Sequence, residues 1–339
     1  MATIKDVSQR AHVSPATVSR VINGGNGVSD VTRAAVLAVI DELGYQPNAF
    51  ARCLATNRSG GIGVVVSEVS SAVYGGILQG IESVTERHGM HLLVSSGHAR
   101  AERERKAFAF LHQRRSDALI LQLDGAEDAE VVAWSRLGIP IVVVGRRIEA
   151  LADRCVFLDN LAGGELATRH LLDRGHRRIA HIAGLATIQD ARDRLAGYRR
   201  ALADRGIPYD ASLVVDGGFV EEGGQRAMQA LLAGGRAFTA VFAANDQSAA
   251  GAMRALRDAG LRVPDDVSVV GFDDTLLAHY LVPSLTTVRQ PLQEMGQAAA
   301  WLALDRLGLD ARKEVTLRFE PVLVERESVA APHSGHTPA

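Results

Sequence analysis

The chain has 339 residues, of which 47% are apolar and 22% are charged, and its formal net charge is −2. This length suggests two or three domains with a sizeable core, and the near-neutral charge argues against a uniformly basic nucleic-acid-binding protein. The sequence has no signal-peptide core and no apolar run of 18 residues, so we expect neither secretion nor a membrane span. Cys53 and Cys155 lie far apart in unlike contexts, which indicates no disulfide framework and fits a reducing cytoplasm.

Two short helices separated by a tight turn are the first predicted elements, in the segment ATIKDVSQRAHVSPATVSRVING. Thr3 and Asp6 form a capping-box pattern for the first helix. Ser14 followed by Pro15 is an N-cap with proline at the first helical position of the second helix. Apolar residues near helical spacing can pack the two helices together. The pattern is typical of a helix-turn-helix, whose second helix enters the major groove of DNA.

Two more helices are predicted before residue 60. Ser29 caps a helix over 30–43, which Gly44 ends. A short fourth helix is predicted over 49–56, ahead of the joint at 59–61. We expect this helix to dock on something or to fold on binding, because so short a helix is marginal alone in water.

Charge is distributed unevenly along the chain. Residues 1–60 carry six Lys/Arg against four Asp/Glu, a net charge of +2, so the remainder carries about −4. This modest asymmetry has the sign expected for a small DNA-binding head on a neutral body. With no signal-peptide core, a cysteine usage that fits a reducing cytoplasm and a DNA-binding head, we expect the protein in the cytoplasm, associated with the nucleoid.

Strands and helices alternate from Ile62 onward. The predicted strands are Ile62–Val66, His91–Ser95, Ala118–Gln122, Ile141–Val144, Val156–Leu158, Arg178–Ala183, Leu213–Val215, Thr239–Ala243, Val267–Gly271 and Leu317–Leu323. Helices are predicted over about 74–88, 102–114, 127–137, 160–174, 189–205, 221–232, 245–259 and 291–308. Continuous β-branched runs that alternate with helices predict parallel sheets covered by helices. So many strands favour two doubly wound lobes, with a ligand bound in the cleft between them at the carboxyl ends of the strands.

Several separated motifs resemble one known family. They are residues 3–23 and the segments PNAFARCLA, GHRRIAHIAG, FAANDQSAAGAMRAL, DVSVVGFDD and PSLTTVRQP. Together they resemble the lactose/galactose-repressor family of bacterial transcription regulators over about residues 2–328, most closely the galactose-repressor branch. The resemblance implies an all-α helix-turn-helix headpiece, a hinge helix, and an α/β sensor of two doubly wound parallel-sheet lobes related to periplasmic sugar-binding proteins. It also implies a homodimer on a pseudo-palindromic operator in double-stranded DNA, a small sugar-like effector that switches DNA affinity, and no cofactor.

The resemblance, together with the proline, glycine and polar residues at the C-terminal end, divides the chain into four parts. These are the headpiece at 1–47, the hinge helix and linker at 48–60, the effector-binding and dimerisation domain at 61–328, and a flexible tail at 329–339.

The headpiece and the hinge helix contain the residues that the resemblance assigns to DNA. Arg20 can form a bidentate pair with guanine, Pro15 and Ala16 can offer only apolar contact, and Leu54 is expected as a wedge in the minor groove. Contacts to phosphates or groove are expected from Thr3, Thr17, Ser19, Asn23, Ser29, Tyr45, Asn48 and Ala51. The alternatives are that Thr3 and Ser29 are only helix caps, that Arg20 is a solvated surface residue, and that Leu54 packs within the protein.

Effector-binding residues are likewise implied by family match. Arg194, Asn245 and Asp273 match positions that hydrogen-bond sugar hydroxyls, and this mixture of donors and acceptors suits vicinal hydroxyls. The remaining candidates are an aromatic cover and residues near strand ends, namely Val73, Tyr74, Asp190, Phe219 and Gln290. As alternatives, Asn245 can cap a helix, Asp273 can be a turn residue, and Arg194 can pair with Asp190 at i,i+4 spacing.

One position departs from the family pattern. Relatives often have an acid or amide after the strand that ends at Val144, whereas this chain has Gly145, followed by Arg146 and Arg147. A glycine supplies no side-chain contact. The pocket is therefore larger, or the arginines face an anionic effector such as a sugar acid or sugar phosphate; a nucleobase is a further alternative.

Enzyme motifs are missing from the sequence. The glycines at 60–63 precede the first predicted strand, so they cannot form a dinucleotide-binding loop. The patterns GxxxxGK[ST], HExxH and GxSxG do not occur, and the eleven histidines make no closed metal set. We expect no enzymatic activity and no metal site. An architectural DNA-binding protein without an effector stays open as a second function class.

Overall fold

A computed structural model of the chain describes residues 2–22, 25–45, 58–310 and 314–332. The chain divides between Gly60 and Gly61 into two compact units, a head and a sensor unit. In these ranges, no helix is long and apolar enough to cross a membrane.

The described part of the head contains three helices, α1 (Ile4–Arg10), α2 (Pro15–Ile22) and α3 (Asp30–Glu42). The predicted capping box is formed, because the Thr3 side chain accepts from the N–H of Asp6 and the Asp6 carboxylate accepts from the N–H of Thr3. The Ser29 hydroxyl accepts from the N–H of Thr32 and so caps α3. The helices pack around a small core of buried valines, Val7, Val18, Val21 and Val36. The helix predicted over 49–56 lies outside the described residues.

The sensor unit alternates strands and helices. Its strands are β1 (Gly61–Val66), β2 (His91–Ser96), β3 (Ala118–Gln122), β4 (Ile141–Val144), β5 (Cys155–Leu158), β6 (Ile179–Ala183), β7 (Val214–Asp216), β8 (Ala240–Ala243), β9 (Ser268–Asp273), β10 (Thr286–Arg289), β11 (Arg318–Phe319) and β12 (Val322–Val324). Its helices are α4 (Ala72–Thr85), α5 (Ala101–Gln113), α6 (Asp128–Trp134), α7 (Asn160–Asp173), α8 (Gln189–Asp204), α9 (Glu221–Ala233), α10 (Asp246–Asp258), α11 (Leu276–Tyr280) and α12 (Leu292–Arg306). Short 3-10 turns lie at Glu86–His88, Glu149–Arg154 and Ala211–Leu213.

Two sheets define two lobes, as predicted. The first sheet has the order β11-β5-β4-β3-β1-β2, and the second has the order β12-β10-β9-β8-β6-β7. Among the described strands the pairing is parallel except between β10 and β12. In the first sheet Val64 pairs with Val94 on one side and with Ile120 on the other. The central strands are buried on both faces because helices cover the sheets.

Two strand predictions are wrong. The sequence predicts no strand at β10, which is short and whose buried residues Thr286 and Thr287 are polar, so it lacks an apolar strand pattern. The single strand predicted over Leu317–Leu323 is instead β11 and β12, which belong to different sheets. Pro321 lies between them, and a proline cannot donate to a strand ladder.

The chain passes between the lobes three times. After β5 of the first lobe it enters α7, which packs on β8, β9, β10 and β12 of the second lobe. After β10 it enters α12, which packs on α4, β3, β4 and β5 of the first lobe. The third passage joins β11 to β12. Each lobe is therefore built from both halves of the sensor sequence.

Packing of the sensor extends past residue 328, which corrects the predicted start of the flexible tail. Val329 is buried in the main apolar core. The backbone N–H of Ala330 donates to Ser268, and its carbonyl accepts from Ser268 and lies 2.9 Å from His176 Nε2. The described part of the sensor thus runs to residue 332, and 333–339 lie outside the described residues.

Candidate functional site

The second helix of the head presents the residues predicted to read bases. Pro15, Ala16 and Arg20 are exposed on α2, whereas Val18 and Val21 face the core. One face of α2 is therefore available to a groove while the other holds the helix in the head. Leu54, also predicted to contact bases, lies outside the described residues.

Five of the eight predicted phosphate- or groove-contacting residues lie within the described residues. Thr3 and Ser29 are exposed N-caps, as the cap interpretation requires, and Thr17 and Ser19 are half-buried on α2. Tyr45 is half-buried and packs on the valine core. The other three, Asn23, Asn48 and Ala51, lie outside the described residues.

Arg33 was missed by sequence analysis. Its guanidinium donates to the carbonyl of Gly25 at 2.9 Å and to that of Val21 at 3.4 Å. The backbone N–H of Gly25 in turn donates to the carbonyl of Arg20. Arg33 on α3 therefore fixes the carboxyl end of α2, where Arg20 lies. A basic residue that reaches across to another helix has no signature in local sequence.

The sensor unit contains a cavity of about 540 Å³ between its two lobes. All the residues predicted to bind an effector line this cavity, namely Val73, Tyr74, Asp190, Arg194, Phe219, Asn245, Asp273 and Gln290. They come from the first lobe, from the second lobe, and from the passage between β10 and α12. These residues are spread over some 220 positions of the sequence, and the fold brings them to one cleft.

Arg194 is the central cation of this cavity. Its side chain is only 3% exposed, and it donates through Nε to Asn160 at 2.8 Å and through Nη1 to the carbonyl of Ala244 at 2.6 Å. The guanidinium also lies 3.6 Å from the ring centroid of Phe272. These contacts fix the orientation of the guanidinium on the cleft wall.

Two acids flank this arginine. The distance from Arg194 to the carboxylate of Asp273 is 3.5 Å, and to that of Asp190 it is 4.0 Å, the i,i+4 pair foreseen as an alternative. Burial raises the pKa of Asp190 to about 7, although Arg194 opposes this shift. Burial raises the pKa of Asp273 as well, again against the effect of Arg194. The two carboxyls can therefore switch between hydrogen-bond acceptor and donor near neutral pH.

Asn245 and Gln290 line the cavity and also make hydrogen bonds within the protein. Asn245 is the N-cap of α10, accepting from the N–H of Ser248 at 2.9 Å, and its amide donates to the carbonyl of Phe219 at 3.0 Å. Gln290 donates to Asp273 at 2.5 Å. Asn245 therefore serves as the cap that was the alternative interpretation, and it also faces the cleft.

Among the first-lobe polar residues that line the cavity and were missed, three form one hydrogen-bonded cluster. Gln122 accepts from the N–H of Ser67 at 2.9 Å and donates to Asp124 at 3.1 and 3.2 Å. The hydroxyl of Ser67 donates to the same carboxylate. They lie at or just after the carboxyl ends of β1 and β3. The rule that ligands bind at strand ends could have found them.

The arginines after β4 do not line this cavity, although Gly145 does. Arg146 donates to the carbonyl of Ala126 at 2.7 Å, and Arg147 pairs with Glu149 at 2.9 Å. Both line a smaller adjoining cavity of about 180 Å³. The expectation that they face the effector in the main cleft is therefore not supported by their positions.

Tyr74 contributes a phenol to the same cavity. Burial, together with the nearby carboxylate of Asp124, raises the pKa of its phenol far above the ordinary value, so it is a neutral hydroxyl at any physiological pH. Among the described residues, no cluster of His, Cys, Asp or Glu is arranged to hold a metal ion. The cleft is thus a polar binding surface with hydroxyl, amide, carboxylate and guanidinium groups.

Two sequence families match the two parts of the molecule. Residues 3–48 match the bacterial regulatory proteins of the lacI family, and residues 168–329 match a periplasmic binding protein-like domain. The chain is also 44% identical to the HTH-type transcriptional regulator GalR of Salmonella typhimurium (strain SL1344), over 99% of this chain and 98% of that protein. The chain belongs to the lacI family.

Solved structures of lacI-family regulators share this fold. A lac repressor dimer bound to operator and the anti-inducer ONPF is 32% identical, with a TM-score of 0.88 over 97% of this chain and 99% of that one. A complex of the transcriptional regulator CelR with cellobiose is 36% identical, with a TM-score of 0.72 over 97% of this chain and all of that one. As a lacI-family member, the protein is a DNA-binding transcriptional regulator.

Proposed function

We propose that the protein is a repressor of carbohydrate-utilisation genes that binds a pseudo-palindromic operator as a homodimer and is switched by a sugar-like effector in the inter-lobe cleft. One observation carries the effector assignment. The residues predicted to bind a sugar all line a single cavity, with donors and acceptors from both lobes. A ligand that contacts both lobes can stabilise one arrangement of them, which is the requirement for a switch.

The chemistry of the cleft favours a neutral, polyhydroxylated effector over an anionic one. Arg194 is the guanidinium in the cavity, and Asp190 and Asp273 lie on either side of it. Asp124 adds a further carboxylate on the first lobe. An anionic sugar would meet more carboxylates than cations there, whereas hydroxyls can donate to the acids and accept from the arginine.

Base reading is assigned to the exposed face of α2. Arg20 is proposed to pair with a guanine, and Pro15 and Ala16 to contact bases through apolar atoms. Thr3, Thr17, Ser19 and Ser29 are proposed to position the head on phosphates, as are Tyr45 and the residues outside the described ranges. Two heads in one dimer then read two half-sites, and the pair binds far more tightly than one head alone.

Effector binding is proposed to release the operator. Coupling free energies between two such sites are typically about 1–3 kcal/mol. The protein is proposed to act in the cytoplasm on the DNA that it regulates, with no catalytic step in the cleft. Its polar groups are occupied in holding one another and in binding the effector.

Fluorescence anisotropy with DNA from upstream of the protein's own gene tests the proposal. We expect binding at moderate salt, loss of binding at high salt because counterions are released, and release by a neutral sugar. The effector panel is D-galactose, cellobiose, D-galacturonate, galactose 1-phosphate and adenine. A response to the acid or phosphate alone, or to adenine alone, would overturn the neutral-sugar assignment. Operator binding that no compound alters would favour the architectural alternative.

Variants at the smaller cavity provide a matched control for charge. Arg146→Gln and Arg147→Gln each remove a cation close to the cleft but outside its main cavity. We expect both variants to keep the effector affinity of the native protein. Loss of affinity in either one, together with a response to anionic sugars, would show that these arginines contact the effector.

A further inference from the structure

In the part of the chain that the structure describes, each lobe contains one carboxylate that is fully buried and lies outside the cavity. They are Glu104 in the first lobe and Asp246 in the second, and both are 0% exposed. Neither lines the cleft. Each accepts hydrogen bonds from a loop of its own lobe, and that loop carries an acid that lines the cleft. These hydrogen bonds therefore hold the cleft-lining loops in position.

Asp246 connects three elements that carry cleft residues. It is the first residue of α10, directly after Asn245. Its Oδ2 accepts from the backbone N–H of Thr275 at 2.7 Å and from its hydroxyl at 3.0 Å. Its Oδ1 accepts from the hydroxyl of Thr287 on β10 at 2.6 Å. One carboxylate therefore ties the start of α10 to the loop after β9 and to the strand that precedes Gln290.

The loop that Asp246 holds is strained. Asp273 and Asp274 have φ values of 114° and 56°, a left-handed backbone that non-glycine residues rarely adopt. Such a backbone conformation is unfavourable for these residues and persists only where the surroundings impose it. Thr275, which donates twice to Asp246, is the next residue along the chain. The hydrogen bonds to Asp246 thus oppose relaxation of the turn that aims Asp273 into the cleft.

Each of the two buried carboxylate side chains packs directly against a glycine, and there is no room for a larger residue at that glycine. A Cβ atom on Gly271 of β9 would lie 2.6 Å from Oδ1 of Asp246. In the first lobe, a Cβ atom on Gly97 would lie 2.4 Å from Cγ of Glu104. Both carboxylates are therefore seated against a backbone position that only glycine leaves free.

Glu104 holds a cleft loop of the first lobe in the same way. It lies on α5, and its carboxylate accepts hydrogen bonds from the backbone N–H groups of Asp124 at 2.9 Å, Gly125 at 3.0 and 3.1 Å, and Ala126 at 2.6 Å. Three successive N–H groups after β3 thus converge on one carboxylate. This arrangement fixes the backbone from which Asp124 reaches Gln122 and Ser67.

We propose that Glu104 and Asp246 are the positioning residues of the effector site, each holding the loop that presents its lobe's cleft acid, Asp124 and Asp273 respectively. The inference rests on the proposed function, because it treats those two acids as effector contacts. Neither positioning residue touches the effector. Their removal should therefore impair effector binding by displacing another group, while the DNA-binding head is left unchanged.

Asp246→Asn and Glu104→Gln in the full-length protein test the proposal, since each keeps the size of the side chain and replaces one accepting oxygen by a donor. We expect faster amide hydrogen exchange at 273–275 in the first variant and at 124–126 in the second, each confined to its own lobe. Titration calorimetry with D-galactose and cellobiose should show at least about a tenfold loss of affinity, and operator affinity without effector should stay within about twofold. Thr287→Val removes one bond to Asp246 and should give a smaller loss.

Ser328→Ala is the matched control in the second lobe. Ser328 is also 0% exposed; it donates to the carbonyl of Val269 at 2.6 Å and accepts from the backbone N–H of Thr286 at 2.8 Å, but neither partner lines the cleft. We expect it to lower the melting temperature without changing effector affinity or exchange at 273–275.

Two results would overturn the inference. One is unchanged exchange at the held loops in both carboxylate variants. The other is an affinity loss in Ser328→Ala equal to that in Asp246→Asn. If the native protein binds no sugar, the proposed function fails, whereas the exchange measurement still decides whether the two carboxylates hold the loops. If Asp246→Asn does not fold, Thr287→Val and Glu104→Gln supply the same measurements.

Discussion

Gly164 of α7 packs against the backbone of Arg194 on α8 so closely that a Cβ atom at Gly164 would lie 2.2 Å from the carbonyl oxygen of Arg194. A reciprocal contact occurs one turn along α8, where a Cβ atom on Gly197 would lie 2.2 Å from the carbonyl oxygen of Leu161. Glycine at these two positions lets the helices approach at backbone distance. The position of the cleft arginine is thus set by the packing of two helices.

Gly164→Ala should therefore weaken effector binding by displacing Arg194, although Gly164 does not line the cleft. An added methyl group forces α8 away from α7, and overpacking of this kind typically costs about 1–3 kcal/mol. We expect a lower unfolding free energy in urea and weaker effector binding by calorimetry. Gly235→Ala is a control for general glycine effects, because Gly235 lies in a turn with open space around its Cβ position, although its φ of 62° adds some strain. Equal effects of both substitutions on effector affinity would contradict this explanation.

Arg194→Lys should reduce effector affinity at least about tenfold, although it keeps the positive charge. A lysine cannot donate at once to Asn160, to the carbonyl of Ala244 and toward Asp273, as the planar guanidinium does. Calorimetry measures the affinity, and anisotropy should show operator binding that is unchanged but no longer released by the effector. Arg199→Lys, on the same helix and stacked on Tyr209 instead, is the matched control and should bind normally.

Stability and effector binding should depend on pH in opposite directions. Burial raises the pKa of Asp190 to about 7, from an ordinary value of 3.8. The folded protein therefore keeps a proton that the unfolded chain has lost, so the stability from this group is complete below pH 3.8 and is lost as the pH rises through 7. The burial of Asp273 acts in the same direction. Effector hydroxyls that donate to ionised carboxylates prefer the opposite state, so affinity should rise as the pH passes 7.

Urea unfolding and calorimetry at pH 5.5 and pH 8 measure these two dependences. Asp190→Asn cannot titrate, so the difference between the two pH values should be smaller in this variant than in the native protein. A native protein that gains stability relative to Asp190→Asn as the pH rises would contradict the assignment.

Arg20→Ala should relax base specificity at one position of each half-site. Loss of a bidentate contact to guanine typically costs about 1–3 kcal/mol of discrimination. Binding to operators substituted at each base pair identifies the position. Arg10→Ala, which removes a surface arginine paired with Glu42 instead, should leave the base preference intact. Uniform weakening by Arg20→Ala across all sequences would indicate a phosphate contact.

Leu54→Ala tests the prediction for the hinge, which depends on the family resemblance because Leu54 lies outside the described residues. A side chain inserted between base steps costs free energy because it unstacks the bases. The duplex bends as a result, and the bent duplex makes more contacts with the protein. We expect operator affinity to fall at least about tenfold while effector affinity holds. Unchanged operator binding would remove the wedge from this mechanism.

The sequence was informative where local patterns determine structure. Capping residues and apolar spacing predicted the head helices, and β-branched runs such as Ile62–Val66 predicted strands within a residue or two. β10 was missed because its buried residues are threonines, which are satisfied by partners far away in the sequence, such as Asp246 and Arg326. The split between β11 and β12 was missed because it depends on which sheet each piece joins.

The cleft shows the same division between local and long-range information. Arg194, Asn245 and Asp273 could be proposed from motifs that match a family. Gln122 and Asp124 could have been proposed from the ends of strands. Glu104 could not, because its role depends on three N–H groups some 20 residues away that only the folded loop brings together.

The segment after residue 313 supplies an edge strand to each lobe and then closes over the core of the second lobe with Val329. A premature stop codon after Gly308 would therefore remove the edge strand of both sheets. The edges of β5 and β10 would then be exposed and could pair with other chains. A nonsense mutation at position 309 should thus yield an aggregating product, and affinity tags belong beyond residue 332.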